Sequence, residues 1–171
     1  MTKIERSHEA HLLKFKEPLN EKNKNMLKAG VLGAGHLGKI HLRLLQESKK
    51  FELVGFFDPF IENAEKVAKE FGYKLFDSIE ELIAAVEVVD IVTPTLSHFE
   101  CAKKAIEKGR HIFIEKPITK TVLEAEAIKT LASQFHVQGQ VGHVERFNPA
   151  FTAVKDKIDA PMFIETHRLA E

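Results

Sequence analysis

The fold of this chain is decided by one stretch, Leu27-Lys28-Ala29-Gly30-Val31-Leu32-Gly33-Ala34-Gly35-His36-Leu37-Gly38. Apolar residues typical of a short strand run directly into three glycines spaced G-x-G-x-x-G. In a strand–turn–helix unit, Gly33 permits a tight turn, Gly35 lets the backbone approach a pyrophosphate, and Gly38 allows the helix to pack closely. The spacing predicts a dinucleotide-binding loop, and the rival interpretation is a structural strand–turn–helix without a ligand.

A helix is predicted directly behind the glycines, because apolar positions recur there with helical spacing. The predicted buried face comprises Leu37, Ile40, His41, Leu44 and Leu45. The helix N-terminus would offer N–H groups and the positive end of its dipole to phosphates. A second apolar strand over 53–57 ends in Asp58, about twenty positions after the last glycine, where a carboxylate can accept hydrogen bonds from ribose hydroxyls. We therefore expect NAD rather than NADP, since this carboxylate would repel a 2′-phosphate and no arginine follows it closely.

The composition is that of an ordinary globular chain. Of 171 residues, 44% are hydrophobic and 29% charged, and the formal net charge is zero. Neither nucleic acid nor an anionic membrane is an expected partner, because there is no excess of charge to attract it. Cys101 is the only cysteine, which excludes an internal disulfide and a cysteine-rich metal site, and we expect no bound metal. No apolar run approaches ~20 residues and no signal-peptide pattern follows Met1, so the expected location is the cytoplasm.

Strand and helix patterns alternate from Leu27 onward. After Asp58 they predict strands over 74–76, 88–92, 111–114 and 137–141. They also predict four helices that alternate with these strands. The first helix covers 61–71 and stops at Gly72, and the other three begin at the capping boxes Ser78-x-x-Glu81, Ser97-x-x-Glu100 (a helix that stops at Gly109) and Thr121-x-x-Glu124. This alternation predicts an α/β fold, a doubly wound parallel sheet with right-handed crossovers. Ligands of such sheets bind beyond the carboxyl ends of the strands.

The chain divides into three parts. Residues 1–25, dominated by Lys, Glu, His and Asn, can bury little and are expected to form a mobile arm. A functional extension and a mis-chosen start codon are equal alternatives there. Residues 26–145 are the predicted dinucleotide-binding domain. Residues 146–171 contain a helix start at Asn148-Pro149 and a predicted strand over 162–169, and we expect them to be the first elements of a truncated α+β substrate domain.

Two further motifs lie where predicted strands end. Thr93-Pro94-Thr95-Leu96-Ser97-His98 follows one strand, and Glu115-Lys116-Pro117 follows the next. Together with the glycine loop they resemble the glucose–fructose oxidoreductase/inositol dehydrogenase family, called Gfo/Idh/MocA, over nearly all of 27–171. The segment 142–149 resembles the branch that acts on nucleotide sugars, such as UDP-N-acetylglucosamine 3-dehydrogenases.

The resemblance implies a Rossmann fold and an oxidoreductase that transfers hydride between NAD and a hydroxyl of a sugar, nucleotide sugar or cyclitol. It also implies that the full-length protein is a homo-oligomer. Lys116 matches the catalytic lysine, whose ammonium can stabilise a developing alkoxide and assist proton removal; the alternative is a solvated loop lysine. Glu115 would hold or neutralise that ammonium, and the Lys116–Pro117 bond is a candidate for the cis form.

The motif match also implies a set of ligand-binding residues. Those for the cofactor are Gly33, Gly35, His36, Leu37, Gly38, Asp58, Thr93, Pro94, Thr95, His98, Glu115 and Lys116. His98 would line the nicotinamide side, or else be a surface histidine at a helix start. His143 and Arg146 would face the sugar or its phosphates, or else form a structural salt bridge. The Asp/His pair that the family carries in its second domain has no match, so we expect the chain by itself to bind cofactor without turnover.

Two other classes of function compete with the dehydrogenase. The first is a non-catalytic NAD(P)-binding module that senses redox state, and the second is a methyltransferase that uses S-adenosylmethionine. Lys116 favours the enzyme over the sensor, because a sensor needs no lysine at the reacting end of the cofactor. The spacing of the glycines, together with Lys116, disfavours the methyltransferase.

Overall fold

The computed structural model describes residues 26–165 and residue 167. Apolar strands and helices alternate through most of this part of the chain. The strands are β1 Leu27–Leu32, β2 Phe51–Phe57, β3 Val88–Ile91, β4 His111–Ile114 and β5 Gly139–Val141. The helices are α1 His36–Glu47, α2 Ile61–Phe71, α3 Ile79–Ala85, α4 Thr95–Glu107, α5 Val122–Gln134 and α6 Pro149–Lys155, with a 3-10 helix at Val144–Phe147. The predicted arm over 1–25 lies outside the described residues.

The five strands form one sheet in the order β2-β1-β3-β4-β5, and every neighbouring pair is parallel. Parallel sheets are covered on both faces, and all four residues of β3 are buried accordingly. The order reverses between β1 and β3, because the chain passes from β1 to β2 on one side and then returns to β3 on the other. The predicted doubly wound α/β fold is confirmed, and its crevice lies at the carboxyl ends of β1 and β3.

Two apolar clusters attach the helices to the two faces of the sheet. The first cluster includes Leu82, Ile83, Val89, Ile91, Ile106, Ile112 and Ile128. The second includes Val31, Leu42, Leu45, Phe56, Val67 and Phe113. Successive residues of β4, Ile112 and Phe113, enter different clusters because side chains alternate across a strand. Full burial of a side chain of this size contributes about 1.5–3 kcal/mol, so these clusters dominate the stability of the sheet.

Local chemistry sets most of the helix boundaries. Gly72 ends α2 in the left-handed conformation (φ 72°), and Thr121 opens α5 with a complete capping box. The hydroxyl of Ser78 accepts the Glu81 N–H at the start of α3. The predicted start of α4 at Ser97 is wrong: the helix begins two residues earlier. The Ser97 N–H donates to the carbonyl of Pro94 at 2.9 Å, so Ser97 already lies in the first turn and cannot cap it.

Other predicted details differ where tertiary packing overrides the pattern. Leu37 is 45% exposed, next to the exposed His36 in the first turn of α1, and Leu42 is buried instead. The short strand over 74–76 is reduced to a single bridge between Leu75 and Phe56. Strand β5 begins at Gly139 rather than at Val137. The general order of elements is unaffected by these changes.

The segment after β5 is mostly exposed. Asn148 caps α6 through its side chain and Pro149 takes the first helical position, as predicted. The strand predicted over 162–169 is absent from its described residues, 162–165 and 167. A strand needs a neighbour for its backbone hydrogen bonds, and no described residue pairs with this segment, so Met162 and Phe163 are exposed. Residues 166 and 168–171 lie outside the described part.

Candidate cofactor-binding and active site

The three glycines of the loop after β1 have three different surroundings. Gly33 has φ +97°, and a Cβ there would meet the Val92 carbonyl oxygen at 2.7 Å, so the turn lies against the end of β3. A Cβ on Gly38 would collide with the carbonyl oxygen of Gly33, which prevents any side chain where α1 packs on the loop. A Cβ on Gly35 would meet nothing within 4 Å. Gly35 therefore leaves an open backbone face, as a pyrophosphate requires.

The start of α1 completes this anion-binding geometry. Gly35 is the N-cap residue and no acidic residue lies in the first turn, whose His36 and Leu37 are exposed. The first N–H groups of a helix lack carbonyl partners within it, and the helix dipole places positive charge at the same end. The loop and the helix end therefore fit the diphosphate of a dinucleotide.

Asp58 joins the glycine loop to the end of β2. Its Oδ2 accepts the Ala34 N–H at 2.7 Å, and its Oδ1 accepts the Phe60 N–H at 2.8 Å. Each carboxylate oxygen has a second lone pair, so the side chain can still accept hydrogen bonds from ribose hydroxyls. The sequence indicated only the contact to ribose. The contact to Ala34, and the bond from the Asn63 amide to the Ala34 carbonyl at 3.2 Å, show that the same region also shapes the loop.

His98 joins two loops at the carboxyl edge of the sheet. Its Nε2 lies 2.8 Å from the Thr93 carbonyl oxygen, and its Nδ1 lies 3.0 Å from the Pro117 carbonyl oxygen. The side chain is 1% exposed, so it is not a surface histidine at a helix start. It holds the loop that carries Thr93, Pro94 and Thr95 against the Lys116–Pro117 turn. A direct contact with a nicotinamide stays a prediction.

Lys116 lies at the edge of an open cavity of about 640 Å³ at the carboxyl end of β4. Its peptide bond to Pro117 is cis, as the sequence suggested. The Glu115 carboxylate points inward, where Oε2 accepts the backbone N–H of Lys116 at 3.1 Å. This carboxylate therefore holds the backbone of Lys116. The role that the resemblance implied, holding the ammonium, stays a prediction.

His143 and Arg146 line the same cavity as Lys116, with Gly142 and Phe151. Both side chains are exposed, and neither forms an ion pair with a carboxylate of another described residue. The structural salt bridge considered for them is thus not seen within the part of the chain described. The cavity brings together one lysine, one histidine and one arginine, next to the carboxylate of Glu145. The three basic side chains suit an oxygen-rich or phosphorylated ligand.

The sequence did not reveal a buried pair beneath the loop. His41 in α1 is fully buried, and its Nδ1 lies 2.8 Å from Oδ2 of Asp90 in β3. Burial is the largest single influence on the pKa of His41 and lowers it, but the charge of Asp90, its hydrogen bond and the charge of Glu115 outweigh burial and raise the pKa. The signal available in the sequence was an aspartate within an otherwise apolar strand and a histidine on an apolar helix face.

Within 26–165 and at 167, no helix is long and apolar enough to cross a membrane, and no group of three or more His, Cys, Asp or Glu side chains is arranged to hold a metal ion. The apolar strands belong to the sheet and are short. Three ionisable side chains, those of His41, Asp90 and Glu115, do lie close together, but they are not arranged as metal ligands.

Comparison with known proteins identifies the family. A family model described as "Oxidoreductase family, NAD-binding Rossmann fold" matches residues 27–143. UDP-N-acetylglucosamine 3-dehydrogenase of Acidithiobacillus ferrooxidans is 38% identical over 145 residues, which are 84% of this chain and 46% of that protein. The scyllo-inositol 2-dehydrogenase (NAD(+)) of Bacillus subtilis is 38% identical over 142 residues, which are 80% of this chain and 41% of that protein.

The solved structures agree with these relatives. A crystal form of the A. ferrooxidans UDP-N-acetylglucosamine 3-dehydrogenase superimposes with a TM-score of 0.71 at 37% identity, over 78% of this chain and 44% of that one. This chain spans less than half the length of the curated relatives it matches most strongly. The match covers the glycine loop, Asp58 and the Glu115-Lys116-Pro117 motif. The chain therefore belongs to the Gfo/Idh/MocA oxidoreductase family, and its sheet is that family's NAD-binding Rossmann fold.

Proposed function

We propose that this protein is an NAD-dependent dehydrogenase that oxidises a hydroxyl of a sugar, nucleotide sugar or cyclitol. The observation that carries the proposal is the position of Lys116, which shares one cavity with His143 and Arg146 at the same sheet edge as the glycine loop. The names of the relatives support the substrate class, since they act on a nucleotide sugar, a sugar phosphate and an inositol.

Each part of the site has a separate task in this proposal. The glycine loop and the start of α1 bind the pyrophosphate, and Asp58 accepts hydrogen bonds from the ribose. NAD, when bound, supplies the hydride acceptor. Lys116 stabilises the alkoxide that develops on the substrate hydroxyl and assists removal of its proton. A positioned ammonium favours this step because it becomes more stabilising as negative charge develops.

Within that class we favour a nucleotide sugar. The relative named UDP-N-acetylglucosamine 3-dehydrogenase matches 84% of this chain at 38% identity. In the cavity, the exposed Arg146 and His143 can face phosphate oxygens, and a guanidinium can bind them in a bidentate manner. We further propose that residues 26–145 are the cofactor domain, that 146–171 begin a substrate domain, and that the whole protein is a homo-oligomer.

Turnover of a substrate panel by the protein expressed from its complete reading frame tests this function. The panel is UDP-N-acetylglucosamine, glucose 6-phosphate and scyllo-inositol, each with NAD+, and the readout is NADH absorbance. We expect Lys116→Ala to lower kcat by about 10²–10⁴ while NADH affinity stays unchanged, because the lysine acts only at the reacting end.

Lys120→Ala is the matched control, since Lys120 is an exposed lysine four residues further along that does not line the cavity. It should leave both kcat and NADH affinity unchanged. Near-normal turnover by Lys116→Ala would remove Lys116 from the catalytic step. Tight NADH binding without oxidation of any panel member would instead favour the redox-sensing module.

A further inference from the structure

Three ionisable side chains from three elements meet beneath the glycine loop. His41 comes from the second turn of α1, Asp90 from the middle of β3, and Glu115 from the end of β4; their exposures are 0%, 1% and 5%. The imidazole lies between the two carboxylates, with Nδ1 2.8 Å from Asp90 Oδ2 and Nε2 3.6 Å from Glu115 Oε1. The ring of Phe113 packs against the imidazole at a centroid distance of 5.9 Å.

The protonation state of His41 decides whether its ring can direct an N–H toward one carboxylate or toward both. A neutral imidazole carries one N–H, whereas an imidazolium carries two and can direct one toward each carboxylate. The charged groups that face it are Asp90 from β3 and Glu115 from the loop after β4. Both favour the protonated ring, and together they raise the pKa of His41 against the opposing effect of burial.

Glu115 connects this cluster to the lysine at the cavity. Its Oε2 accepts the backbone N–H of Lys116 at 3.1 Å, while its Oε1 faces His41. On the other side, a Cβ on Gly142 would lie 2.6 Å from Glu115 Oε1, so the glycine leaves only enough room for the carboxylate. Glu115 is thus held between α1 and the end of β5, and the backbone of Lys116 is attached to it.

We propose that His41 and Asp90 are positioning residues for Lys116. Asp90 orients the imidazolium of His41 through a contact of 2.8 Å, and the imidazolium attracts the Glu115 carboxylate by charge across 3.6 Å. Glu115 in turn accepts the backbone N–H of Lys116, from which the lysine reaches the cavity. The cluster also joins α1, the helix that begins at the glycine loop, to the loop that carries Lys116. Its importance for catalysis rests on the proposed function, but the coupling between His41 and Lys116 is a property of this chain that turnover does not affect.

Nuclear magnetic resonance of the unsubstituted chain, labelled with ¹⁵N, tests the coupling directly. The pH titration follows two signals, the ring nitrogens of His41 and the backbone amide of Lys116. We expect both to shift with one common midpoint, higher than that of an ordinary histidine. A Lys116 amide that does not shift, or one whose midpoint differs from that of His41, would overturn the proposal.

Two variants separate positioning from general stability. Asp90→Asn removes the charge next to Nδ1 and should move both midpoints together to lower pH. Gly142→Ala presses on Glu115 Oε1. It should reduce the shift of the Lys116 amide and lower the His41 midpoint by less than Asp90→Asn does, since Asp90 still faces the ring. His167→Gln removes an exposed histidine and should change neither signal. A Lys116 midpoint that does not follow His41 in Asp90→Asn contradicts the proposal, even if the protein is later found to be a dehydrogenase.

Discussion

Gly35 is the N-cap of α1 and Gly38 lies three positions later in its first turn. A Cβ on Gly35 would meet nothing within 4 Å, whereas a Cβ on Gly38 would collide with the Gly33 carbonyl oxygen. We expect Gly35→Val to fold with stability within about 0.5 kcal/mol of the parent, because its Cβ enters open space. NADH affinity should fall by more than about 100-fold, since the side chain occupies the face that a pyrophosphate approaches. Fluorescence titration with NADH and urea denaturation measure the two effects separately.

Gly38→Ala is the matched comparison for that experiment. Its Cβ collides with the Gly33 carbonyl oxygen, so we expect a loss of stability of about 1–3 kcal/mol with misplacement of the loop. If Gly35→Val bound NADH like the parent, the loop would not be the pyrophosphate site. If Gly38→Ala were as stable as the parent, the packing of α1 on the loop would be less tight than the contact implies.

Asp58 determines the expected choice between NADH and NADPH. A carboxylate accepts from a free 2′-hydroxyl and repels a 2′-phosphate, so the parent should bind NADH more tightly than NADPH. Asp58→Asn should reduce that preference by about tenfold or more, since it removes the repulsive charge and keeps an acceptor for Ala34 or Phe60. Glu62→Gln, an exposed acid in the first turn of α2, is the control and should keep the preference. Tighter binding of NADPH by the parent contradicts this assignment.

At the scale of elements, two helices offer the same cap signature with different outcomes. Thr121 accepts the Glu124 N–H through its hydroxyl, and the Glu124 carboxylate accepts the Thr121 N–H at 2.9 Å. Ser97 occupies the equivalent place in its motif but lies inside the first turn of α4. We expect Thr121→Ala to cost about 1 kcal/mol of unfolding free energy and Ser97→Ala to stay within about 0.5 kcal/mol, both by urea denaturation. An equal loss in both variants would show that Ser97 caps α4 after all.

At the scale of the whole molecule, the raised pKa of His41 links stability to pH. Burial, the largest influence, lowers this pKa, but Asp90 and Glu115 outweigh it, so the folded value lies above the unfolded value of 6.5. The folded state therefore binds the proton more tightly, and the stabilisation is fully present below the unfolded pKa. It is lost as the pH rises through the folded pKa. We expect the free energy of unfolding in urea to fall over this range, measured from about pH 5.5 to 8.

His41→Gln tests the origin of that pH dependence, because the amide can still donate to Asp90 but does not titrate. The variant should be less stable than the parent at low pH and should have a flatter dependence on pH. His167→Gln, in which an exposed histidine is replaced, should retain the slope of the parent. An unchanged slope in His41→Gln would assign the dependence to other groups.

Features that depend on neighbours within a few positions could be predicted before the structure was known. The spacing of Gly33, Gly35 and Gly38, the stop at Gly72 and the capping box at Thr121 are local, because they involve backbone conformation and hydrogen bonds across one turn. The alternation of strands and helices was equally readable, since a strand between two helical layers must be apolar on both sides. The motif Glu115-Lys116-Pro117 could also be recognised in the sequence, because its three residues are contiguous.

The contacts between polar residues across the sheet could not be predicted in this way, because they join residues far apart in the chain. His41 and Asp90 are 49 positions apart, and His98 reaches the Pro117 carbonyl from 19 positions away. A pattern that records only apolar and polar positions counts His41 as one more member of a helix face and His98 as a residue near a helix start. The strand predicted from Met162 is absent from its described residues for a related reason. A segment with strand propensity forms a strand only where another segment lies alongside it and completes its backbone hydrogen bonds.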